Sequence, residues 1–200
     1  MGKKIAITGG IGSGKSYVAE YIKNLGYPVF SCDEIYKDVS QSLSYIEKLQ
    51  TIFPECVIGG KLDRRKLASI VFFDEKQLKK LNAISHPLIM EKLYEEMDKA
   101  EGDLIFAEVP LLFEGGFEKD FHETIFVKRN LEARVQGIIQ RDKIGESEAL
   151  QRIQNQYSLE YVESVIQRDD IPCRFIDNNG TLNELKIQID AVVNDIKTSI

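Results

Sequence analysis

Eight residues near the amino terminus, Gly9-Gly10-Ile11-Gly12-Ser13-Gly14-Lys15-Ser16, restrict the fold more than any other part of the chain. They match the phosphate-binding spacing G-x-x-x-x-G-K-[ST], which works only between a buried strand and the start of a helix. Both flanks are present: Lys4 to Thr8 reads as a strand, and Tyr17 to Ile22 reads as an amphipathic helix ending near Gly26. In that setting the loop N–H groups and the helix dipole attract an anion. Gly12 and Gly14 let the backbone approach it without a Cβ in the way. Lys15 would reach the outer phosphates of a nucleotide, and the Ser16 hydroxyl would serve a Mg²⁺ ion. Two other readings stand beside this one. The stretch could be a glycine turn with an ordinary surface lysine, or the phosphate turn of a dinucleotide fold. The latter wants an acid after the following strand, and Asp33 comes too early for it.

Five short apolar runs alternate with helical patterns: Lys4 to Thr8, Pro28 to Ser31, Leu104 to Glu108, Thr124 to Lys128 and Arg174 to Ile176. Such alternation predicts an α/β fold, a doubly wound parallel sheet with helices on both faces and ligands at the carboxyl ends of the strands. Between Ser31 and Leu104 no strand is evident. Leu43, Ile46 and Leu49 fall on one helical face, Leu67, Ile70 and Val71 on another, and Leu78, Leu81 and Ile84 on a third, with Pro54 and Gly59-Gly60 as breaks. That segment, about residues 34–102, reads as a helical insertion that binds substrate. The core is expected in 1–33, 103–130 and 172–200 of a single domain. Leu131 to Arg141 and Glu148 to Tyr157 read as a helical hairpin within 131–165, carrying Arg134, Arg141 and Arg152. It is either an arginine-bearing lid or a solvated face with i,i+4 charge pairs.

Composition narrows the class. The chain has 200 residues, 43% hydrophobic and 29% charged, with a net charge of −6. That suits a soluble globular protein and argues against nucleic acid as the main partner, because a phosphate backbone wants a basic face. No stretch has the length of a membrane span, and the first strand begins too early for a signal peptide. Cys32, Cys56 and Cys173 are too few and too scattered for a disulfide framework or a zinc site, and suit a reducing cytoplasm. A monomer is expected.

Phosphoryl transfer needs positioning, charge neutralisation and an acceptor for the hydroxyl proton. Asp33, just after the second strand, is the candidate base; the alternative is a helix cap for Glu34 to Val39. Glu108 ends the most apolar run and is either a metal acid or a simple strand-end charge. His86, followed by Pro87, is either functional or structural, with Pro87 starting a helical turn.

Taken together these segments resemble the dephospho-CoA kinase family over nearly the whole chain. The phosphate loop is shared with many kinases. The discriminating motifs are Leu62-Asp63-Arg64, His86-Pro87-Leu88-Ile89, Val109-Pro110-Leu111-Leu112-Phe113-Glu114, Gln140-Arg141-Asp142 and Ile176-Asp177-Asn178-Asn179-Gly180. The resemblance implies a P-loop NTPase fold and transfer of the ATP γ-phosphate to the ribose 3′-hydroxyl of dephospho-CoA, with Mg²⁺. It implies catalytic roles for Asp33, Lys15 and Arg141. Nucleotide contacts would come from Gly10, Ile11, Gly12, Ser13, Gly14, Lys15, Ser16, Tyr17, Arg141 and Asn178. Asp33, Arg64 and His86 would hold the acceptor, and Ser16 and Glu108 the metal. Three departures stand out: Ser31-Cys32-Asp33 replaces Asp-Ala-Asp, Tyr17 replaces Thr, and the stretch from Gln156 to Asp177 is longer, with Pro172-Cys173 in place of Ala-Asp. The rival readings are a kinase of a nucleoside monophosphate or sugar, a GTP switch, for which no Asn-Lys-x-Asp loop exists, and an inactive nucleotide-binding module.

Overall fold

The computed structural model describes residues 2–71 and 74–199. In chain order the elements are β1 (Lys3–Thr8), α1 (Lys15–Asn24), β2 (Val29–Ser31), α2 (Cys32–Val39), α3 (Leu43–Ile52), β3 (Val57–Ile58), β4 (Lys61–Leu62), α4 (Arg64–Val71) and α5 (Glu75–Lys99). They continue with β5 (Leu104–Glu108), β6 (Glu123–Lys128), α6 (Leu131–Asp142), α7 (Glu146–Gln154), α8 (Leu159–Arg168), β7 (Cys173–Asp177) and α9 (Leu182–Thr198).

β1, β2, β5, β6 and β7 form a five-stranded sheet in the order β2-β5-β1-β6-β7, parallel as the sequence predicts. Ile5, Ile7, Leu104, Phe106, Ile125 and Val127 project to one face and join Val18 and Ile22 of α1 and Leu185, Ile189 and Val193 of α9 in one apolar cluster. The alternate positions Ala6, Ile105, Ala107, Thr124 and Phe126 are buried as well. A strand buried on both faces reads as a continuous apolar run, which is why these strands were legible. The strands bring the end of β1 and the end of β5 side by side, with Ile7 opposite Glu108.

The chain divides into two compact units, one of residues 1–29 and 100–200 and one of residues 30–99. The second is helical: α2, α3 and α4 each pack on the 25-residue α5. Three expectations for this unit are corrected. A strand pair does exist, because Gly59 and Gly60 take φ of 57° and 73° and turn β3 back antiparallel onto β4. Leu43 is not on a buried face. It stands 78% exposed at the start of α3, where Ser42 accepts from the Tyr45 N–H, and the buried stripe is Tyr45 and Leu49. Pro87 starts no turn: it lies inside α5, where its missing N–H deprives the Ala83 carbonyl of its helical donor.

In the first unit α7 starts two residues earlier than expected and ends at Gln154, and α8 follows as a separate helix capped by Ser158. Among the described residues no helix is long and apolar enough to cross a membrane, and all three cysteines are free thiols.

Candidate active site

The loop from Gly9 to Ser16 joins β1 to α1. Gly14 is the N-cap of α1 at φ 93°, and its carbonyl accepts from the N–H groups of Tyr17 and Val18. Lys15 and Ser16 are thus the first helical residues, and no acid in that turn offsets the positive end of the helix dipole. Gly12 and Gly14 are required by close approach. A Cβ on Gly12, at φ 79°, would lie 2.7 Å from the Arg134 carbonyl oxygen, and one on Gly14 would strike the Asn178 amide.

Side chains from distant segments hold the loop. Asn178 Nδ2 donates to the Ser13 carbonyl at 2.8 Å, while the Asn178 N–H is itself anchored on the Lys128 carbonyl at 2.8 Å. Arg134 Nε donates to the Ile11 carbonyl at 2.9 Å, and Arg129 Nη1 to that of Gly12 at 3.4 Å. Three successive loop carbonyls thereby each accept a side-chain hydrogen bond, which lessens their repulsion of an incoming phosphate. Gln156 Oε1 accepts from the Ile11 N–H at 2.5 Å. The Ile11 side chain packs with Val135 and Ile138 of α6 and Ala149 of α7.

The Ser16 hydroxyl donates to Glu108 Oε1 at 2.6 Å, and Glu108 is only 7% exposed. A hydroxyl and a carboxylate are hard oxygen donors of the kind Mg²⁺ takes. Among the described residues no cluster of three or more His, Cys, Asp or Glu could hold a metal. Two protein oxygens fit an ion whose remaining ligands are water and phosphate.

Arg141 stands elsewhere in the hairpin. It grips Asp142 with two bonds, 2.7 and 3.0 Å, and its side chain is 60% exposed. Arg152 reaches Asp142 at 2.6 Å and Glu148, one turn earlier, at 2.9 Å. The hydrogen bonds from Arg141, and then the charge of Arg152, hold the Asp142 carboxyl below its usual range. Of the charge pairs on α6 and α7, Arg152–Glu148 has the i,i+4 spacing of the alternative to a lid, while Arg152 and Asp142 meet largely out of solvent. Among the three hairpin arginines, Arg134 meets the loop, through its bond to the Ile11 carbonyl.

In the helical unit, α2 starts at Cys32 with Ser31 as its N-cap. Asp33 is therefore not the cap; it lies exposed in the first turn, where the helix dipole favours a negative charge. Arg64 opens α4 and donates to Ser40 Oγ at 2.6 Å. Tyr45 OH lies 3.0 Å from Ser85 Oγ and 3.4 Å from Tyr36 OH, and burial raises its pKa. His86 follows Ser85 in α5, half-buried, and burial lowers its pKa.

Tyr17, in the first turn of α1, stacks on Tyr21, with ring centroids 6.5 Å apart. Gln156 and Arg129 carried no signal in the sequence. Nothing in the spacing says that a glutamine 145 residues downstream bonds to Ile11.

A family model described as dephospho-CoA kinase matches residues 3–184. The chain belongs to the dephospho-CoA kinase family. A relative named dephospho-CoA kinase, from Thermus thermophilus, is 38% identical over 192 residues, 96% of this chain and 91% of that protein. A crystal structure from Thermus thermophilus superposes with a TM-score of 0.79 at 38% identity, covering 97% of each chain. A dephospho-CoA kinase from Campylobacter jejuni gives a TM-score of 0.68 at 26% identity over the full length of both chains. As a member of this kinase family the protein is a phosphoryl-transfer enzyme of the P-loop fold.

Proposed function

We propose that this kinase transfers the γ-phosphoryl group of ATP to the ribose 3′-hydroxyl of dephospho-CoA, giving CoA and ADP, the last step of coenzyme A synthesis. The observation that carries the proposal is the family match across residues 3–184, with the phosphate loop held ready at one end of the sheet.

In this reading the loop N–H groups and Lys15 bind the polyphosphate. The γ-phosphorus gains a bond to the 3′-oxygen and loses its bond to the β,γ-bridging oxygen, and ADP leaves. Asp33 takes the proton of the 3′-hydroxyl; its exposure and its place directly after β2 support that role. Ser16 and Glu108 would hold Mg²⁺. When bound, that ion neutralises charge on the phosphate oxygens. Arg64 and His86 belong to the acceptor side. Arg64 opens α4 and, among the described residues, its hydrogen-bond partner is a serine hydroxyl, which leaves guanidinium donors for an anionic substrate. Arg141 would act at the phosphates only after leaving Asp142. Asn178 is kept as a nucleotide contact, in addition to its bond to Ser13. A cytoplasmic monomer completes the proposal, and the free thiols suit a reducing compartment.

The test is ADP release from ATP and Mg²⁺ with dephospho-CoA, AMP or adenosine as acceptor. Release with dephospho-CoA alone, yielding a product with the mass of CoA, is expected. Turnover confined to another acceptor would overturn the substrate assignment.

A further inference from the structure

We propose that Arg134 supplies a standing positive charge to the ATP polyphosphate at Gly10, from a position set before the nucleotide arrives. The proposal rests on the kinase reading above and adds a residue that the motifs do not assign.

Arg134 lies near the start of α6, and its Nε–H donates to the Ile11 carbonyl at 2.9 Å. Its guanidinium lies directly against Gly10: a Cβ there would fall 2.7 Å from Arg134 Cζ. The absence of a side chain at Gly10 is what makes room for it.

Arg141, Arg152, Arg168 and Arg174 each rest on a carboxylate. Arg134 does not: among the described residues its one hydrogen-bond partner is the neutral Ile11 carbonyl. The side chain is half-buried, and burial alone lowers its pKa, with no acid acting on it. A guanidinium has five N–H donors, so one bond to Ile11 leaves the terminal nitrogens unused. A partly desolvated cation without a counter-ion is costly. Here it stands beside a loop spaced for phosphate, and a phosphate oxygen is the partner that satisfies both its charge and its geometry.

Arg141 follows seven residues later, about 10 Å further along the helix, and is already engaged by Asp142. Arg134 needs no such exchange of partners. Its orientation is set in advance by Ile11, and a charge so placed costs no reorganisation during the reaction.

Two variants separate a phosphate contact from a merely structural one. Arg134→Gln keeps an N–H that can reach the Ile11 carbonyl and removes the charge. Arg134→Lys keeps the charge. ATP binding is measured by calorimetry at two salt concentrations, adenosine binding by saturation-transfer NMR, and folding by thermal melts. The expected result is at least a tenfold loss of ATP affinity in Arg134→Gln with a weaker salt dependence, partial recovery in Arg134→Lys, and unchanged adenosine binding in both. ATP affinity within twofold of wild type in Arg134→Gln would overturn the proposal. So would a parallel loss of ATP and adenosine binding, which marks a loop that has lost its shape. If the wild-type protein binds ATP but leaves dephospho-CoA unphosphorylated, the acceptor assignment falls, and the binding measurements still decide the role of Arg134.

Discussion

Ser16 Oγ and Glu108 Oε1 meet at 2.6 Å, which ties the first turn of α1 to the last residue of β5. In the proposed function this pair, 92 positions apart in the chain, holds the Mg²⁺ ion. Glu108→Gln keeps the shape and removes the charge. It is expected to raise the Mg²⁺ concentration for half-maximal turnover roughly 10- to 100-fold, as loss of a partner to a metal site does. Metal-free ATP binding should stay close to wild type. A Mg²⁺ titration of initial rates checks this, and an unmoved midpoint removes Glu108 from the metal site.

Asp33→Asn should lower kcat by about 10²- to 10⁴-fold, the usual worth of a positioned base. ATP affinity should be unaffected, because the carboxylate stands exposed on α2 and takes no part in the loop's hydrogen bonds. Steady-state rates with dephospho-CoA alongside ATP calorimetry separate the two quantities. A variant with normal kcat would show that the proton leaves by another route.

Tyr45→Phe probes the helical unit. The hydroxyl it removes lies buried between Ser85 and Tyr36, while Ser85 keeps its bond to the Leu81 carbonyl. One buried hydrogen-bonding group is lost without stranding its main partner, so the cost should be about 1–2 kcal/mol. Urea denaturation measures it. A loss no larger than that of an exposed Tyr→Phe control would mean that the hydroxyl contributes nothing to the packing of α3 on α5.

His86 gives a pH dependence whose sign is fixed. Burial lowers its folded-state pKa below the ordinary value of 6.5, so below that value the unfolded chain takes up the proton more readily than the folded one. The histidine's share of stability is complete above pH 6.5 and falls as pH drops toward its folded pKa. His86→Asn should flatten the decline of Tm across that window. In the wild type the His86 ring resonances should titrate below pH 6.5. Titration at or above 6.5 would contradict the assignment.

Sequence made the sheet and the phosphate loop legible because both rest on local rules. Runs buried on two faces announce β1, β5 and β6, and Gly14, Lys15 and Ser16 announce the start of α1. The helical unit was legible only in outline. The β3–β4 hairpin was hidden because two-residue strands carry no periodicity, and only Gly59 and Gly60 marked its turn. Pro87 signalled a boundary, but tertiary packing carried α5 through it. At the site the readable residues were those whose roles follow from the motif. Arg134 was named as a hairpin arginine, but its bond to Ile11, like those of Arg129 and Gln156, was not legible, because these residues act through carbonyls and an N–H of residues over a hundred positions away, a relation that only the fold creates. Asn178 stood in a recognisable motif, yet its bond to Ser13 could not be read there.

The grip on the loop has a consequence for how its shape is stored. Residues 129, 134, 156 and 178 come from the β6–α6 turn, α6, the α7–α8 turn and the β7–α9 turn, and together they hold residues 11 to 13. A designer who copied only the glycine-rich octapeptide into another α/β scaffold would transplant the spelling of the loop without its grammar.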